Sequence, residues 1–559
     1  MGGTLSRLPR AVRNRIIRLA IQLLSWYYPS VKALFQRIND TPGLPVSNPS
    51  TPYWLVPASP LARHGADAQL VSYADIVIIG SGITGTSFAR TVLDYDVKHG
   101  DEDKTLQVVM LEARDLCSGA TGRNGGHITP PLYHDYPKLV ERYGSEMAAK
   151  VIRFRLSHLH ELLGVAKEEG LLADSQAREV ESFDVFGDQT VYDDLKKNLE
   201  IYQKGMPDES RDERVYEGAE LLKSFQLSDK TVGCIATVGG AIHPYRFVTG
   251  ILARLLRSYP TSFKIYAQTP CTSIFSPRRE EKQLYHVITP KGTIRAKHIV
   301  HATNGWSGHL LPKMRGKIIP ARGCMTAQTP RPGLGNAPPP TEGEEQSWSG
   351  KRSFVFYPDS HGYDYLTQQP ASPVDRPSNY PPPEAELMLG GGFARTNYIL
   401  TEMANADDRV WNPEVAEYLS GALASYFTVE GQSPKDKEDT KSVWTGVLGA
   451  SVDERPWVGS MPESITERLR PISDTKHADH GPPPSEWIAA GYSGEGMVHA
   501  WMSAKALAYM VLGVDGEAPN ANSNKRKKTR DWFPDIFRVT EQRWQIATVE
   551  DLIASILAK

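Results

Sequence analysis

The order of apolar and polar positions divides the chain into segments of strand and helix type. Residues 75–79, DIVII, form a short apolar run that is typical of a buried strand, and residues 84–94 continue with helical character. A second apolar run at 106–111 follows a polar insert. Residues 151–170 have the character of a longer helix. Strands that alternate with helices predict an α/β fold.

The first 39 residues carry a separate amphipathic pattern. Ile16, Leu19 and Leu23 fall on one face of a predicted helix, and Arg15 and Arg18 lie opposite. The segment contains seven basic residues and no acidic residue. Because Arg18 interrupts the apolar run, that run is too short to span a bilayer.

Four roles for this basic helix stay open. An Arg-rich helix without acidic residues is typical of a mitochondrial presequence and of a helix that lies in a membrane interface. The first residues, MGGTLS, match an N-myristoylation pattern through Gly2 and Ser6. The helix can also dock on the protein's own surface. We therefore expect an intracellular protein, cytoplasmic or mitochondrial, with peripheral membrane contact through residues 1–39 as one alternative.

Composition and charge exclude several other classes. At 559 residues the chain is too long for a single ordinary core, so two or more domains are expected. The net charge of −2 gives no general attraction to nucleic acid. The sequence leaves the oligomeric state open. The cysteines are widely spaced, form no metal-binding pattern and suggest a reducing compartment; they are Cys117, Cys234, Cys271 and Cys324.

The first apolar strand leads into the glycine pattern G-x-G-x-x-G. Gly80 permits a tight turn, Gly82 lets a diphosphate approach the backbone, and Gly85 lets the following helix pack on the strand. Ile83 and Thr84 lie at the helix N-terminus, which faces the anion. A strand before the pattern and a helix after it together favour a turn that binds a dinucleotide.

A carboxylate and a second glycine-rich loop follow the next predicted strand. Glu112 ends that strand, where a carboxylate accepts hydrogen bonds from ribose hydroxyls and repels a 2′-phosphate. The loop EARDLCSGATGRNGGHI places small residues where they suit a second approach to the diphosphate and then to a flat ring. The candidate cofactor contacts here are Glu112, Ala113, Arg114, Ala120, Thr121, Gly122, Arg123, Asn124, Gly125, Gly126 and His127.

Six segments in chain order carry a resemblance to a known family. They are SGATGRNGGH (118–127), GGAIHPYRFVTGILARL (239–255), IVHATNGWSG (299–308), ELMLGGGFA (386–394), VWTGVLGASVDERPWVG (443–459) and IAAGYSGEGMVHAWMSAKALAYMVLG (488–513). Together they resemble the FAD-dependent oxidoreductases of the D-amino-acid-oxidase superfamily. The resemblance is closest to the amine-oxidising branch that includes gamma-glutamylputrescine oxidase.

The resemblance implies a fold, a cofactor and further cofactor contacts. The implied fold is a Rossmann-like FAD-binding domain with a substrate domain built on a mixed or antiparallel sheet. The closing turn would aim a helix N-terminus at the flavin pyrimidine ring and stabilise the anion of the reduced flavin. The contacts implied in the later turns are Thr303, Asn304, Gly491, Gly494, Glu495, Gly496 and Met497.

Two departures from the family pattern bear on how FAD is held. Glu495 stands where relatives often have a histidine in the closing turn. Arg123 stands at the position that corresponds to the histidine of relatives with covalently attached flavin. Non-covalent FAD is therefore favoured, with Cys117 as a remote alternative attachment point.

The order of the segments predicts how the domains are assembled. Residues 1–70 would form the basic helix and a Pro-rich linker, and 521–559 a C-terminal tail. The remaining chain would form two discontinuous domains, an FAD-binding domain from 71–130, 235–325 and 440–520, and a substrate domain from 131–234 and 326–439.

The reaction implied by the resemblance is oxidation of a C–N bond in a small amine or amino acid, with hydride transfer to flavin and oxygen as acceptor. A dehydrogenase with a membrane or protein acceptor, a tailoring oxidase of a larger secondary metabolite and a non-catalytic flavin protein are the alternatives. The candidate catalytic residues are His127, Arg455 and Tyr492, with Trp444 and Tyr365 as further aromatic walls.

Overall fold

The fold is known from a computed structural model, which describes residues 8–99, 105–276, 284–335, 348, 350–370, 380–393, 398–429, 439–471, 482–520 and 523–558. The N-myristoylation pattern lies outside the described residues. The strands are Tyr73–Ile79, Val108–Leu111, His127–Ile128, Arg178–Phe186, Arg214–Tyr216, Gly233–Ala241, Phe263–Tyr266, Ser273–Phe275, Tyr285–Thr289, Gly292–His301, Ile318–Thr329, Arg352–Asp359, Gly362–Gln368, Leu387–Gly391, Asp439–Ser451, Trp457–Ser460, Ser485–Ala490, Glu517–Asn520 and Ser523–Lys528.

The helices confirm the predicted alternation with strands. The longer ones are Arg10–Tyr27, Pro29–Asn39, Ile83–His99, Tyr136–Tyr143, Ser145–Glu168, Gln189–Gly205, Pro244–Ser258, Pro413–Tyr426, Ala500–Leu512 and Val549–Ala558. Helices of four to six residues are Leu172–Ser175, Ala219–Ser224, Ser307–Leu310, Tyr398–Thr401, Glu463–Thr466, Thr529–Trp532 and Glu541–Ile546.

The first sheet has a parallel centre. Its order along the main path is Trp457–Ser460, Ser485–Ala490, Gly292–His301, Tyr73–Ile79, Val108–Leu111 and Phe263–Tyr266. All neighbours in this path are parallel except the first pair. Six of the seven residues of Tyr73–Ile79 are buried, as expected for a parallel strand covered on both faces.

The second sheet is largely antiparallel. Its order is Asp439–Ser451, Ile318–Thr329, Leu387–Gly391, Gly362–Gln368, Arg352–Asp359, Arg178–Phe186, Gly233–Ala241 and His127–Ile128. Only Arg352–Asp359 and Arg178–Phe186 pair in parallel along this path. The two sheets together confirm the predicted fold class.

Three parts of the predicted FAD-binding domain lie in the second sheet. Residues 235–241, 318–325 and 440–451 were assigned to the FAD-binding domain, but they form strands of the second sheet. The chain therefore crosses between the sheets inside these segments. The division into domains as a whole stays a prediction.

The helix after the glycine turn is held in the core of the first sheet. Phe88 and Val92 of helix Ile83–His99 are fully buried. Ser87 Oγ donates a 2.7 Å hydrogen bond to the carbonyl of Trp501, in helix Ala500–Leu512. Helices Ile83–His99 and Ala500–Leu512 are therefore fixed to each other.

The N-terminal helix docks on the C-terminal segment through its polar side. Arg10 and Arg13 donate to the carboxylate of Asp551 at 2.6 and 3.1 Å, and Arg18 donates to Glu550 at 2.7 Å. The tail predicted at 521–559 thus packs against the segment predicted at 1–70. No helix among the described residues is long and apolar enough to cross a membrane.

The buried ion pair of Asp453 and Arg543 ties the C-terminal segment to the first sheet. Arg543 Nε lies 2.9 Å from Asp453 Oδ2, and both side chains are 6% exposed. We expect Arg543→Ala to destabilise the fold by about 3–5 kcal/mol, because it leaves a buried carboxylate without its main partner. Urea unfolding of the two proteins measures the difference.

An exposed ion pair provides the control for this prediction. Arg409 is half-exposed and pairs with Asp407 at 2.6 Å. Arg409→Ala is expected to leave the unfolding transition unchanged. Equal transitions for Arg543→Ala and the unmodified protein would show that the buried pair does not hold the segment.

Candidate active site

Three cavities lie next to one another in the molecule. The first cavity is lined by Gly82, Glu112 and Thr121, among others, and it adjoins the second cavity at Asn124, Gly494 and Met497. The second and third cavities share Tyr363 and Glu495. The third cavity has a volume of about 620 Å³. The series of cavities extends from the carboxyl edge of the first sheet past the second sheet to the N- and C-terminal segments.

The glycine turn at the first cavity leaves no room for side chains. Gly80 has φ of +111°, and a Cβ there would lie 2.5 Å from the carbonyl oxygen of Ala302. A Cβ on Gly85 would lie 2.1 Å from the carbonyl oxygen of Gly80, so this glycine is needed for helix–strand packing. A Cβ on Gly82 would lie 2.9 Å from Thr121 Oγ1. The backbone of this turn therefore packs tightly against its neighbours where it borders the first cavity.

A helix N-terminus faces the same cavity. Gly82, Ile83 and Thr84 line it, and helix Ile83–His99 begins at this point. Thr121 Oγ1 accepts a 3.0 Å hydrogen bond from the Ile83 amide. The positive end of the helix suits a diphosphate group.

The carboxylate of Glu112 is held in place by the protein. Its Oε2 accepts from the Ser81 amide at 3.1 Å and from Ser81 Oγ at 2.7 Å, and its Oε1 accepts from the Arg114 amide at 3.1 Å. Each carboxylate oxygen can accept more than one hydrogen bond. Glu112 also lines the first cavity, so it fits the ribose of a dinucleotide.

Two later turns close the other end of the first cavity. Asn304 Oδ1 accepts a 3.0 Å hydrogen bond from the Gly491 amide and so joins the two turns. Ala500, the first residue of helix Ala500–Leu512, lines the cavity as well. A second helix N-terminus therefore points toward the site.

The first cavity brings together most of the predicted cofactor contacts. It is lined by Gly80, Gly82, Ile83, Thr84, Glu112, Ala113, Arg114, Ala120, Thr121, Asn124, Thr303, Asn304, Gly494, Gly496 and Met497. Gly125, His127 and Glu495 line the second cavity. Gly85, Gly122, Gly126, Gly491 and Arg123 are not among the lining residues.

Arg123 is a predicted cofactor contact, but its side chain turns into the protein interior. Its Nε donates to the Ser118 carbonyl at 2.7 Å, and one terminal nitrogen donates to the Thr445 carbonyl at 2.6 Å. Asp408 lies 3.5 Å away, and Arg123 is 2% exposed. The guanidinium thus supports the loop from behind.

His127 lies at the edge of the second sheet among hydroxyl groups. Its Nε2 is 2.8 Å from Thr129 Oγ1 and 2.9 Å from Ser353 Oγ. Its ring stacks on Tyr365 with centroids 6.2 Å apart. Burial lowers the pKa of His127 to about 4, so the imidazole is neutral at pH 7.

The other two catalytic candidates lie away from His127. Tyr492 lines the first cavity, and its hydroxyl is 3.0 Å from Thr84 Oγ1. Arg455 lines the third cavity and pairs with Asp453 at 2.6 Å. The structure therefore does not bring the three predicted residues into one site, because the loops that carry them end at different cavities.

Sequence reasoning missed several lining residues. The Pro-rich linker contributes Gly43, Leu44 and Pro45 to the first cavity, and Trp306, His309 and Cys271 line it too. The missed residues of the second cavity include His134, Asp184, Tyr357 and Tyr363. No local motif marks them. Only the alternation of side chains along strands could have placed Tyr357, Tyr363 and Tyr365 on shared faces.

The arrangement defines a class of protein. A parallel sheet with a glycine turn, a ribose-type carboxylate and a second sheet over one end of the cavity is that of a dinucleotide-dependent oxidoreductase. The chain belongs to the FAD dependent oxidoreductase (DAO) family, whose model matches residues 75–510. The residues that line the first cavity therefore fit the FAD on which that family depends.

Individual relatives are distant. The chain is 27% identical over 259 residues to a probable oxidoreductase, OrdL, of Rhizobium meliloti, covering 46% of this chain and 55% of OrdL. It thus spans about half the length of the curated relatives it matches.

Solved structures share the fold. Glycine oxidase from Geobacillus kaustophilus is similar with a TM-score of 0.55 and 15% identity, over 84% of this chain and 99% of that one. L-Amino acid deaminase from Proteus myxofaciens has a TM-score of 0.54 and 14% identity, over 89% and 96%.

Replacement of Gly82 tests the diphosphate position. Gly82→Glu adds bulk toward Thr121 and a negative charge at the helix N-terminus, so we expect it to abolish flavin binding while the fold is retained. The ratio of flavin to protein absorbance and the far-UV circular dichroism measure the two effects. Gly164→Glu, at an open position on helix Ser145–Glu168, is the control and should keep its flavin. Full flavin content in Gly82→Glu would contradict the assignment.

The neutral state of His127 predicts an acid-dependent loss of stability. Its pKa of about 4 lies below the 6.5 of an unfolded histidine, so the unfolded chain takes up a proton first as the pH falls from 6.5 to 4. Between pH 7 and 5 we expect the unmodified protein to lose about 1–2 kcal/mol more stability than His127→Gln. Urea unfolding at both pH values measures this. His361→Gln, at an imidazole that is 76% exposed, is the control, and identical losses in all three proteins would contradict the prediction.

Proposed function

We propose that the protein oxidises a C–N bond of a small amine or amino acid, with the substrate in the second cavity. The observation that carries this proposal is the contact between the first and second cavities at Asn124, Gly494 and Met497. A dinucleotide in the first cavity would present its reactive ring there. The relatives named glycine oxidase and L-amino acid deaminase support an amino-group substrate.

The residues around the second cavity support this chemistry. When bound, FAD supplies a hydride acceptor. Tyr357, Tyr363 and Tyr365 supply aromatic walls that exclude water, and His127 is kept neutral beside them. An amine releases hydride readily only in its neutral form, so an ammonium substrate must lose a proton in the site before oxidation. The product imine would hydrolyse to a carbonyl compound and an amine.

We propose oxygen as the electron acceptor. Oxygen needs no docking surface, and the second and third cavities join at Tyr363 and Glu495, which gives a small molecule a path inward. The alternative is a dehydrogenase that passes electrons to a membrane acceptor. The exposed face of the N-terminal helix, described below, favours that alternative.

Two observations support non-covalent FAD. Cys117 is 1% exposed and lines none of the three cavities. Burial raises the pKa of its thiol well above the usual range, so the reactive thiolate is disfavoured. Arg123, at the position of the attachment histidine of relatives, points away from the first cavity.

Anaerobic reduction of the flavin tests the proposed reaction. We expect primary amines or amino acids to bleach the flavin absorbance without oxygen, and the carbonyl product to appear in proportion to the bleached flavin. Readmission of air should restore the absorbance and release hydrogen peroxide. Bleached flavin that air does not reoxidise would favour the dehydrogenase. Flavin that no amine or amino acid reduces would contradict the proposal.

We also propose that the N-terminal helix contacts an anionic membrane surface. Its polar side is docked on Asp551 and Glu550, which leaves a continuous apolar face outward. The exposed fractions on this face are 57% for Leu19, 57% for Leu23 and 84% for Trp26. The face also includes Val12, Ile16, Tyr27 and Tyr28. Two basic residues are exposed as well, Arg15, which the helical pattern places opposite this face, and Lys32 on the next helix. Apolar and aromatic residues beside basic ones are typical of interfacial helices.

Co-sedimentation with vesicles tests the membrane contact. We expect the protein to bind vesicles that contain phosphatidylserine, and the double variant Leu19→Asp with Leu23→Asp to lose that binding. Val97→Asp with Phe275→Asp, which changes exposed apolar residues elsewhere, is the control. Equal binding by both double variants, or no binding by the unmodified protein, would contradict the proposal.

A further inference from the structure

The second cavity contains a buried carboxylate that the proposed reaction has not used. Asp184 lies on strand Arg178–Phe186, lines the cavity and is 6% exposed. Its Oδ2 accepts a 2.5 Å hydrogen bond from the Tyr133 hydroxyl and lies 3.4 Å from His134 Nε2. A buried carboxylate is costly unless a charged or hydrogen-bonding partner compensates it. A cationic ligand in the cavity would supply such a partner.

Aromatic rings surround the same part of the cavity. Tyr357, Tyr363 and Tyr365 line it, and the Tyr357 hydroxyl is 3.1 Å from His134 Nε2. His134 stacks on Tyr357 with centroids 5.5 Å apart. Faces of aromatic rings attract cations, and more strongly where water is excluded. The rings and Asp184 thus favour the same kind of ligand.

The permanent charges that line the cavity are of one sign. Among the described residues that line it, Asp184 and Glu495 carry carboxylates, none is an arginine or a lysine, and the two histidines are His127 and His134. His134 lies 3.4 Å from Asp184 and is a cation only when it is protonated. Arg155 lies in the third cavity, where two carboxylates balance its charge, Asp135 at 2.9 Å and Glu495 at 3.4 Å. A carboxylate on the substrate would meet no permanent cation from these lining residues.

A second acid lies behind Asp184. Glu213 is 7% exposed, and Thr237 is the one side chain that acts on its carboxyl group as a hydrogen-bond donor among the described residues. Burial first, and then the negative charge of Asp184, raise the pKa of Glu213 to about 8. Burial also raises the pKa of Asp184. Glu213 is thus mostly neutral at pH 7, and Asp184 is the group that faces the cavity.

We propose that Asp184 and the three tyrosine rings bind the ammonium group of the substrate, and that the second cavity selects amines without a carboxylate. Asp184 also takes the proton that must leave before oxidation. In that step the N–H bond breaks, its electron pair stays on nitrogen, and an O–H bond forms on Asp184. The neutral amine then lies where the two cavities meet. This inference rests on the proposed function only for the later oxidation, not for cation binding.

Binding of two probes of opposite charge tests the inference without turnover. tert-Butylammonium has no hydrogen on the carbon that bears nitrogen and cannot be oxidised to an imine, and trimethylacetate carries the same tert-butyl group on a carboxylate. We expect calorimetric titration of the flavin-loaded protein to show binding of tert-butylammonium and not of trimethylacetate. Asp184→Asn should weaken ammonium binding about tenfold or more, because a charge-assisted interaction is lost.

A matched variant controls for loss of a buried carboxylate. Asp364 is also buried and accepts hydrogen bonds from the Tyr418 and Tyr426 hydroxyls, but it lines none of the three cavities. Asp364→Asn should leave ammonium affinity within about twofold of the unmodified protein. Preference for trimethylacetate, or unchanged ammonium affinity in Asp184→Asn, would overturn the inference. Ammonium binding that depends on Asp184, in a protein whose flavin no amine reduces, would support the subsite and contradict the proposed function instead.

Discussion

The close packing of backbone against backbone at the carboxyl edge of the first sheet is the constraint on which the site depends. Gly80 and Gly85 permit that packing because a Cβ at either position would lie within 2.5 Å of a backbone oxygen. Asn304 then ties the next turn to Gly491 through a 3.0 Å hydrogen bond. Three separate parts of the chain are thereby held around one cavity. Because these turns are fixed, the N-termini of helices Ile83–His99 and Ala500–Leu512 both lie at this cavity.

The second sheet contributes side chains that can distinguish between substrates, whereas the first sheet contributes mainly backbone groups. The parallel sheet provides backbone amides and helix ends, which suit a diphosphate but offer little selectivity for a substrate. Strands of the second sheet carry Asp184, Tyr357 and Tyr365 to the second cavity, which adjoins the first. Their burial makes each polar group expensive unless a ligand or neighbour compensates it. Substrate choice is thus expected to depend on the second sheet, and cofactor binding on the first.

Local patterns predicted the first sheet far better than the second cavity. The strand, glycine turn and helix around Gly82 are continuous in sequence, so their spacing alone predicts their geometry. Asp184 and Tyr363 are far apart in sequence and meet only through strand order, which no local pattern encodes. Arg455 pairs with Asp453 and lines the third cavity, so its catalytic role stays a prediction. The basic N-terminal helix was predicted, but the direction of its apolar face follows from docking to Asp551.

We propose that the first cavity holds FAD without a covalent bond, next to the second cavity. The absorbance spectrum of the purified protein, before and after acid precipitation, is the measurement to make first. We expect a flavin spectrum that passes into the supernatant and is identified as FAD. Colour that stays with the pellet would contradict non-covalent binding. A colourless protein that cannot be reconstituted with FAD would contradict the claim as a whole.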